Sequence, residues 1–194
     1  MKKYELTTET LQILGFTLHR IKAVKDFGSV KAGEFGGWIE NEKNLSQYDN
    51  AWVYGEAMVF DNAKVFDNAK VFGNASVFCY ARVYDNAEVY DNAEVYGNAE
   101  VYGNVRINGN AYIKGDAKVY DAADYIVFKN FWSSERYFTW TRSNNKWSVG
   151  CFYGTGEELI NKAYNDSEIS GKEYERVVRY VESILADEKK EKSN

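Results

Sequence analysis

From residue 52 to residue 120 apolar and polar positions alternate on a strict period of six. A Val or Ile stands at 53, 59, 65, 71, 77, 83, 89, 95, 101, 107, 113 and 119, twelve times with no insertion. The unit is V-[YF]-[DG]-N-A-x, as in VFDNAK, VYDNAE and VYGNAE. A six-residue period builds a parallel β-helix, in which each unit is one short side and the stacked units share a continuous core. The Val faces inward on the flat of a side. The Ala four positions on, such as Ala93 after Val89, faces inward at the bend, where only a small side chain fits. The Asp-Asn or Gly-Asn pair forms the corner, because these residues accept positive φ. Val105 replaces the corner Ala, and Cys79-Tyr80 replaces one turn pair, so packing is expected to be disturbed there.

Three units make one coil, so residues 18 apart stack at about the 4.8 Å spacing of paired strands. The twelve units give about four coils over residues 47–125, with Gln47 to Ala51 as one further unit at the start. Asn50, Asn68, Asn86 and Asn104 fall in one ladder, where amides can bond along the stack. The outward position before each Val carries Trp52, Lys70, Glu88 and Arg106 on a first side. It carries Met58, Ser76, Glu94 and Tyr112 on a second, and Lys64, Arg82, Glu100 and Lys118 on a third. Opposite charges on adjacent rungs contribute roughly 0.2–1 kcal/mol each and hold the register.

Either side of the repeat the pattern changes. Residues 1–46 hold one strand-like run, FTLHRIKAV (16–24), then a turn-rich stretch with Gly28, Gly33, Gly36 and Gly37. They are expected to form an N-terminal β cap over the open end of the helix. Residues 126–194 predict a small α+β domain that also caps it. Its three strands are IVFKNFW, YFTWTR and KWSVGCF, with a turn at Ser143-Asn144-Asn145. A first helix is opened by a capping box at Thr155 and Glu158. A second starts near Lys172 and presents Tyr174, Val177, Val178, Val181, Ile184 and Leu185 on one face. The charged tail DEKKEKSN is expected to fray.

Composition narrows the function classes. The chain has 194 residues and a net charge of -5, with no basic footprint for nucleic acid. No apolar run is long enough to span a membrane, and the start lacks the apolar stretch of a signal peptide. Two cysteines, Cys79 and Cys151, suggest neither a disulfide framework nor a zinc site, and fit a reducing cytoplasm. Cys151, beside Phe152, is expected to be buried. No metal or cofactor is implied.

The twelve in-frame hexads resemble the hexapeptide-repeat family, which implies a left-handed parallel β-helix. The family's acyltransferases use a His as general base, and its γ-class carbonic anhydrases need three His ligands. The single His of this chain, His19, precedes the repeat and reads as a strand or cap residue. The resemblance therefore implies a non-enzymatic member, with a degenerate acyltransferase as an alternative. Together, KYELTTET, DFGSVKAGEFGGWIENEKNLS, the Asn-Ala repeats and WSVGCFYGTGEEL resemble bacteriophage-encoded hexapeptide-repeat accessory proteins. That implies an anti-defence role in the host bacterial cytoplasm, blocking a host protein or, alternatively, sequestering a nucleotide signal between protomers.

The position after each Val is Tyr or Phe in ten of the twelve units. Phe60, Phe66, Phe72, Phe78, Tyr84, Tyr90, Tyr96 and Tyr102 are expected to point outward and stack. Exposed aromatic area of that extent marks an interface. A homo-oligomer follows, a trimer by analogy with proteins of similar fold. Trp140 and Arg142, with Arg136, could stack a base and hold phosphate on the C-terminal sheet. Thr155 and Gly156 open a helix after a glycine-rich turn, a generic anion site that capping alone also explains.

Overall fold

The computed structural model describes residues 2–192. By contacts the chain divides into two units, residues 1–126 with 141–144, and residues 127–140 with 145–194.

The first unit is a β-solenoid entered from a ribbon. Strands β1 (Tyr4–Ile13) and β2 (Phe16–Ala23) form a hairpin whose two-residue turn, Leu14 and Gly15, has φ of 50° and 87°. Positive φ at both positions matches the right-handed twist of the flanking strands. The hairpin continues into β3 (Phe35–Ile39), and twelve two-residue strands follow at six-residue intervals, from β4 (Trp52–Val53) to β15 (Lys118–Val119). They stack in register 18 apart into three parallel sheets, one per side of the coil. The second side is the longest, because β1, β2 and β3 extend it to seven strands.

The hexad sets the core as the sequence predicts. Every Val or Ile of the twelve, and every corner Ala from Ala57 to Ala117, is at most 1% exposed. Val105 is 4% exposed in the Ala position. The corners turn on positive φ at Asp61, Asp67, Asp85 and Asp91 and at Gly55, Gly73, Gly97, Gly103, Gly109 and Gly115. Aspartate supplies more than conformation there. Asp85 Oδ2 accepts from Gly103 N at 3.0 Å, and Asp91 Oδ2 from Gly109 N at 3.1 Å, each tying a corner to the next coil. Cys79 holds the same corner at φ 59°. Its backbone is undisturbed, since Tyr80 N still reaches Gly97 O at 2.8 Å. Cysteine does not favour this conformation, whereas aspartate occupies it four times nearby. Cys79→Asp is therefore expected to stabilise by about 0.5–1 kcal/mol, read as a higher melting temperature.

The solenoid has about five coils, not four. Trp38 and Ile39 pair with Met58 and Val59, and Leu45 bridges Val65. These partners are 20 residues apart, whereas every later pair is 18 apart. The first coil thus carries two extra residues in its last corner, between Leu45 and Trp52. Gln47 is accordingly not a rung: its side-chain carbonyl accepts from Lys3 N at 2.8 Å. Gly36 and Gly37 lie inside β3 and not in a turn. A Cβ on Gly37 would sit 2.5 Å from Ala57 O, so only glycine lets β3 close onto the next coil.

The second unit holds a four-stranded sheet in the order β16 (Tyr125–Lys129), β17 (Tyr137–Thr141), β18 (Lys146–Val149), β19 (Phe152–Gly154). KWSVGCF is two strands and not one. Gly150, at φ 54°, and Cys151 make a two-residue turn between Val149 and Phe152. Cys151 is consequently exposed, not buried. Helix α1 (Gly156–Asp166) opens with the expected capping box. Helix α2 (Glu168–Glu191) starts four residues earlier than predicted, because Ser167 ends α1 and its hydroxyl accepts from Ser170 N to begin α2. The tail stays helical to Glu191 instead of fraying, and its last two residues, Ser193 and Asn194, lie outside the described residues. The core is Phe138, Trp147, Leu159, Ile160, Ala163, Tyr174, Val178 and Val181.

Candidate functional site

The aromatic position builds three stacks along the solenoid. On the second side Phe60, Phe78 and Tyr96 follow at 5.2 and 4.7 Å between centroids, with planes within 7° of parallel. On the third, Phe66, Tyr84 and Tyr102 follow at 4.9 and 5.1 Å. On the first, Phe72 and Tyr90 stack at 4.7 Å. These separations equal the coil spacing, so each ring covers a face of its neighbour, and the rings are half-buried, not fully exposed. Phe60 departs from the outward expectation most. It is 2% exposed, enclosed by Leu18, Trp38, Phe16 and Phe78, because the β1–β2 ribbon extends the same sheet past it.

What separates the three sides is the other outward column. On the first, Glu88 lies between Lys70 at 3.6 Å and Arg106 at 3.0 Å, an ion-paired ladder. On the third, Glu100 pairs with Lys118 at 3.8 Å, and Tyr84 Oη donates to Glu100 at 3.0 Å. Arg82 lies 5.4 Å from the Phe66 and Tyr84 rings. The second side carries Trp38, Met58, Ser76, Glu94 and Tyr112 instead. Glu94 is half-buried, and burial pushes its carboxyl up against the pull of Lys114. Leu11, Ile13 and Phe16 of the ribbon prolong this surface into an aromatic strip, on which Arg20 lies 5.1 Å from the Trp38 ring, Lys114 lies 5.5 Å from the Tyr96 ring, and Glu56 accepts the Trp38 indole N–H at 3.1 Å. The amide ladder runs along one corner as expected, Asn50 to Asn68 at 3.0 Å, Asn68 to Asn86 at 3.2 Å and Asn86 to Asn104 at 3.1 Å.

The remaining candidates fall elsewhere. Trp140 is 1% exposed, and its indole N–H donates to Asn145 Oδ1 at 2.9 Å, so it offers no stacking face. Arg142 Nε donates to Ala123 O at 2.9 Å, a structural bond at the hairpin tip. Thr155 Oγ1 accepts from Glu158 N at 3.3 Å, and Thr155 N donates to Glu158 Oε2 at 2.7 Å. Two carboxylates, Glu157 and Glu158, occupy that first turn, so the dipole already has its negative charge. His19 lies on β2 with Nδ1 3.2 Å from Thr7 O, across the bulge in β1. Among the described residues no three His, Cys, Asp or Glu converge to hold a metal, and no helix is long and apolar enough to cross a membrane.

The sequence reading missed the closure of the first coil. Lys3 is 1% exposed, and its ammonium donates to Ala51 O at 2.7 Å and Tyr48 O at 3.1 Å, in the corner with the two extra residues. Phe27 lies 4.9 Å beneath it. A lone lysine in a charged lead carries no pattern that would reveal this.

No family model matches the chain. It is similar to the uncharacterized acetyltransferase YdcK of Escherichia coli (strain K12), 37% identical over 62 residues. That match covers 28% of this chain and 19% of YdcK, so the chain spans about a fifth of that protein's length. With the stacked hexads, this makes the fold a hexapeptide-repeat β-helix.

Proposed function

We propose that the protein is a non-catalytic binding and assembly protein that associates with further copies of itself through the second side of the solenoid. The observation that carries this is the contrast between sides. Two present ion-paired ladders suited to water, and one presents Phe16, Met58, Phe78, Tyr96 and Tyr112 around a half-buried Glu94, with its charged side chains Arg20 and Lys114 laid against the Trp38 and Tyr96 rings. Interface centres are depleted of charge and rich in aromatics and Met. The resemblance to phage-encoded accessory proteins extends the reading: the assembled form blocks a component of the host bacterial cytoplasm, with a trimer as the expected state.

The test is sedimentation velocity at tens of micromolar. The wild-type chain is expected to sediment as a discrete oligomer and Met58→Glu as a monomer, because a carboxylate at the centre of a dry contact costs several kcal/mol. A wild-type monomer at that concentration removes the reading. A second reading, a degenerate acyltransferase, is favoured only by the partial likeness to YdcK. Hydrolysis or transfer of an acetyl group from acetyl-coenzyme A, abolished by His19→Ala, would support it.

A further inference from the structure

The second unit carries a feature the assembly reading leaves unused. Its sheet ends on β16, an edge strand of Tyr-Ile-Val-Phe-Lys with no charge before Lys129. Asn130 N donates to Arg136 O at 2.9 Å, and Arg142 N donates to Asp124 O at 2.8 Å. Both pairs sum to the same register, so no bulge intervenes, and the even-numbered residues of β16 exchange their bonds with β17. The N–H and C=O of Val127 and Lys129 therefore point to the open edge. An apolar edge without a bulge, a proline or an inward charge is a template for another strand.

Beside this edge lies a hollow of 460 Å³ between β16 and α2, lined by the apolar Phe128, Trp132, Val177 and Tyr180 and by Lys129 and the Arg176–Glu173 pair. Trp132 is 74% exposed and Tyr180 56%. The main chain that carries Trp132 is fixed, since Asn130 Oδ1 accepts from Trp132 N at 2.9 Å and Ser133 N at 3.2 Å. Arg176 is paired with Glu173. Lys129 lies 4.9 Å from the Phe131 ring and 5.5 Å from the Tyr137 ring, and no carboxylate reaches it among the described residues.

We propose that this edge and hollow dock an extended acidic segment of a partner polypeptide. Main-chain bonds to Val127 and Lys129 would supply affinity. One apolar side chain would enter the hollow, and a neighbouring carboxylate would meet Lys129. Only extended backbone matches a row of alternating donors and acceptors beside a side-chain pocket, and the unpaired ammonium selects for acid.

The experiment pans a random dodecapeptide phage library on the immobilised full chain, then measures the affinities of enriched synthetic peptides by fluorescence anisotropy. Enriched peptides are expected to alternate apolar and acidic residues. Their affinity should fall at least tenfold on Lys129→Glu. It should be lost on Val127→Pro, which an outward-facing N–H position of an edge strand tolerates. Lys129→Glu keeps the test decisive if the proline variant fails to fold. No enrichment, or peptides indifferent to Lys129→Glu, overturns the proposal. Self-association abolished by Val127→Pro overturns it too, by assigning the edge to a second copy. Neither variant touches the solenoid strip, so failure here is distinct from failure of the assembly reading.

Discussion

Trp52→Ala is expected to lower the unfolding free energy by about 3–5 kcal/mol, the range for deleting a fully enclosed large aromatic. Trp52 occupies the outward position of its hexad, where Lys70, Glu88 and Arg106 stack after it. It is nevertheless 0% exposed. Tyr4 stands 5.9 Å away, Phe27 5.2 Å and Tyr54 6.5 Å, all edge-on. A Cβ on Gly36 would come within 2.7 Å of Trp52 Cζ2, so the glycine is what lets the strand lie over the indole. Trp52 thus helps to fasten the ribbon to the first coil, and its removal opens a cavity between the Tyr4, Phe27 and Tyr54 rings. Arg106→Ala at the far end of the same column provides the control. Its side chain is 70% exposed, and its pair with Glu88 is worth at most about 1 kcal/mol. Urea midpoints of the two variants should differ several-fold in their shift from wild type.

Trp52 also shows where the sequence stops being legible. Everything that depends on residue i and residue i+18 could be read: the Val and Ala core, the Asn ladder, the charge pairs and the parallel stacking of rings. Those are local to the repeat and follow from its period alone. What could not be read depends on the segments that close it. β1 carries no alternation that distinguishes YELTTETLQI from a charged lead. The fifth coil is hidden by two extra residues in one corner, which break the hexad frame before Val53. Phe60 and Trp52 look like exposed positions until the ribbon covers them. The strip on the second side was half legible. Its aromatics were predicted along with those of the other two sides. Its distinction from them came from Met58, Ser76 and Tyr112, which the sequence places in one column, together with the ribbon residues that the sequence does not place there at all.

Lys3→Met is expected to flatten the pH dependence of stability between pH 8 and pH 10 and to destabilise the protein at every pH in that window. Burial lowers the Lys3 ammonium to about 8 from 10.5, with Asp49 opposing the shift. Since the folded value is the lower, the unfolded chain holds the proton over that interval, and stability rises with pH through it. Tyrosines set the upper bound. Tyr4 is raised by burial, and Tyr84 is pushed up to about 12 by burial and then by Glu100. Their unfolded counterparts ionise from about 10 upward, so stability falls again beyond that point. Wild type is therefore expected to gain roughly 2 kcal/mol between pH 8 and pH 10. In the variant two opposed effects compete at pH 7. The desolvation of an ammonium is relieved, which amounts to roughly 3 kcal/mol for a depression of this size. Against that, the buried carbonyl of Ala51 loses its donor, at about 1–3 kcal/mol, the part-buried carbonyl of Tyr48 loses its own at about 1 kcal/mol, and the stacking of ammonium on Phe27 is lost as well. The carbonyls and the ring together outweigh the relief, by about 1–2 kcal/mol on these ranges. Methionine does not titrate, so the gap should widen to about 3–4 kcal/mol at pH 10, where wild type has made its gain. Denaturant titrations at pH 7 and pH 10 measure both quantities. A variant whose stability climbs in parallel with wild type would place the titration on another group. A variant as stable as wild type at pH 7 would show that the two extra residues in the first corner close without Lys3.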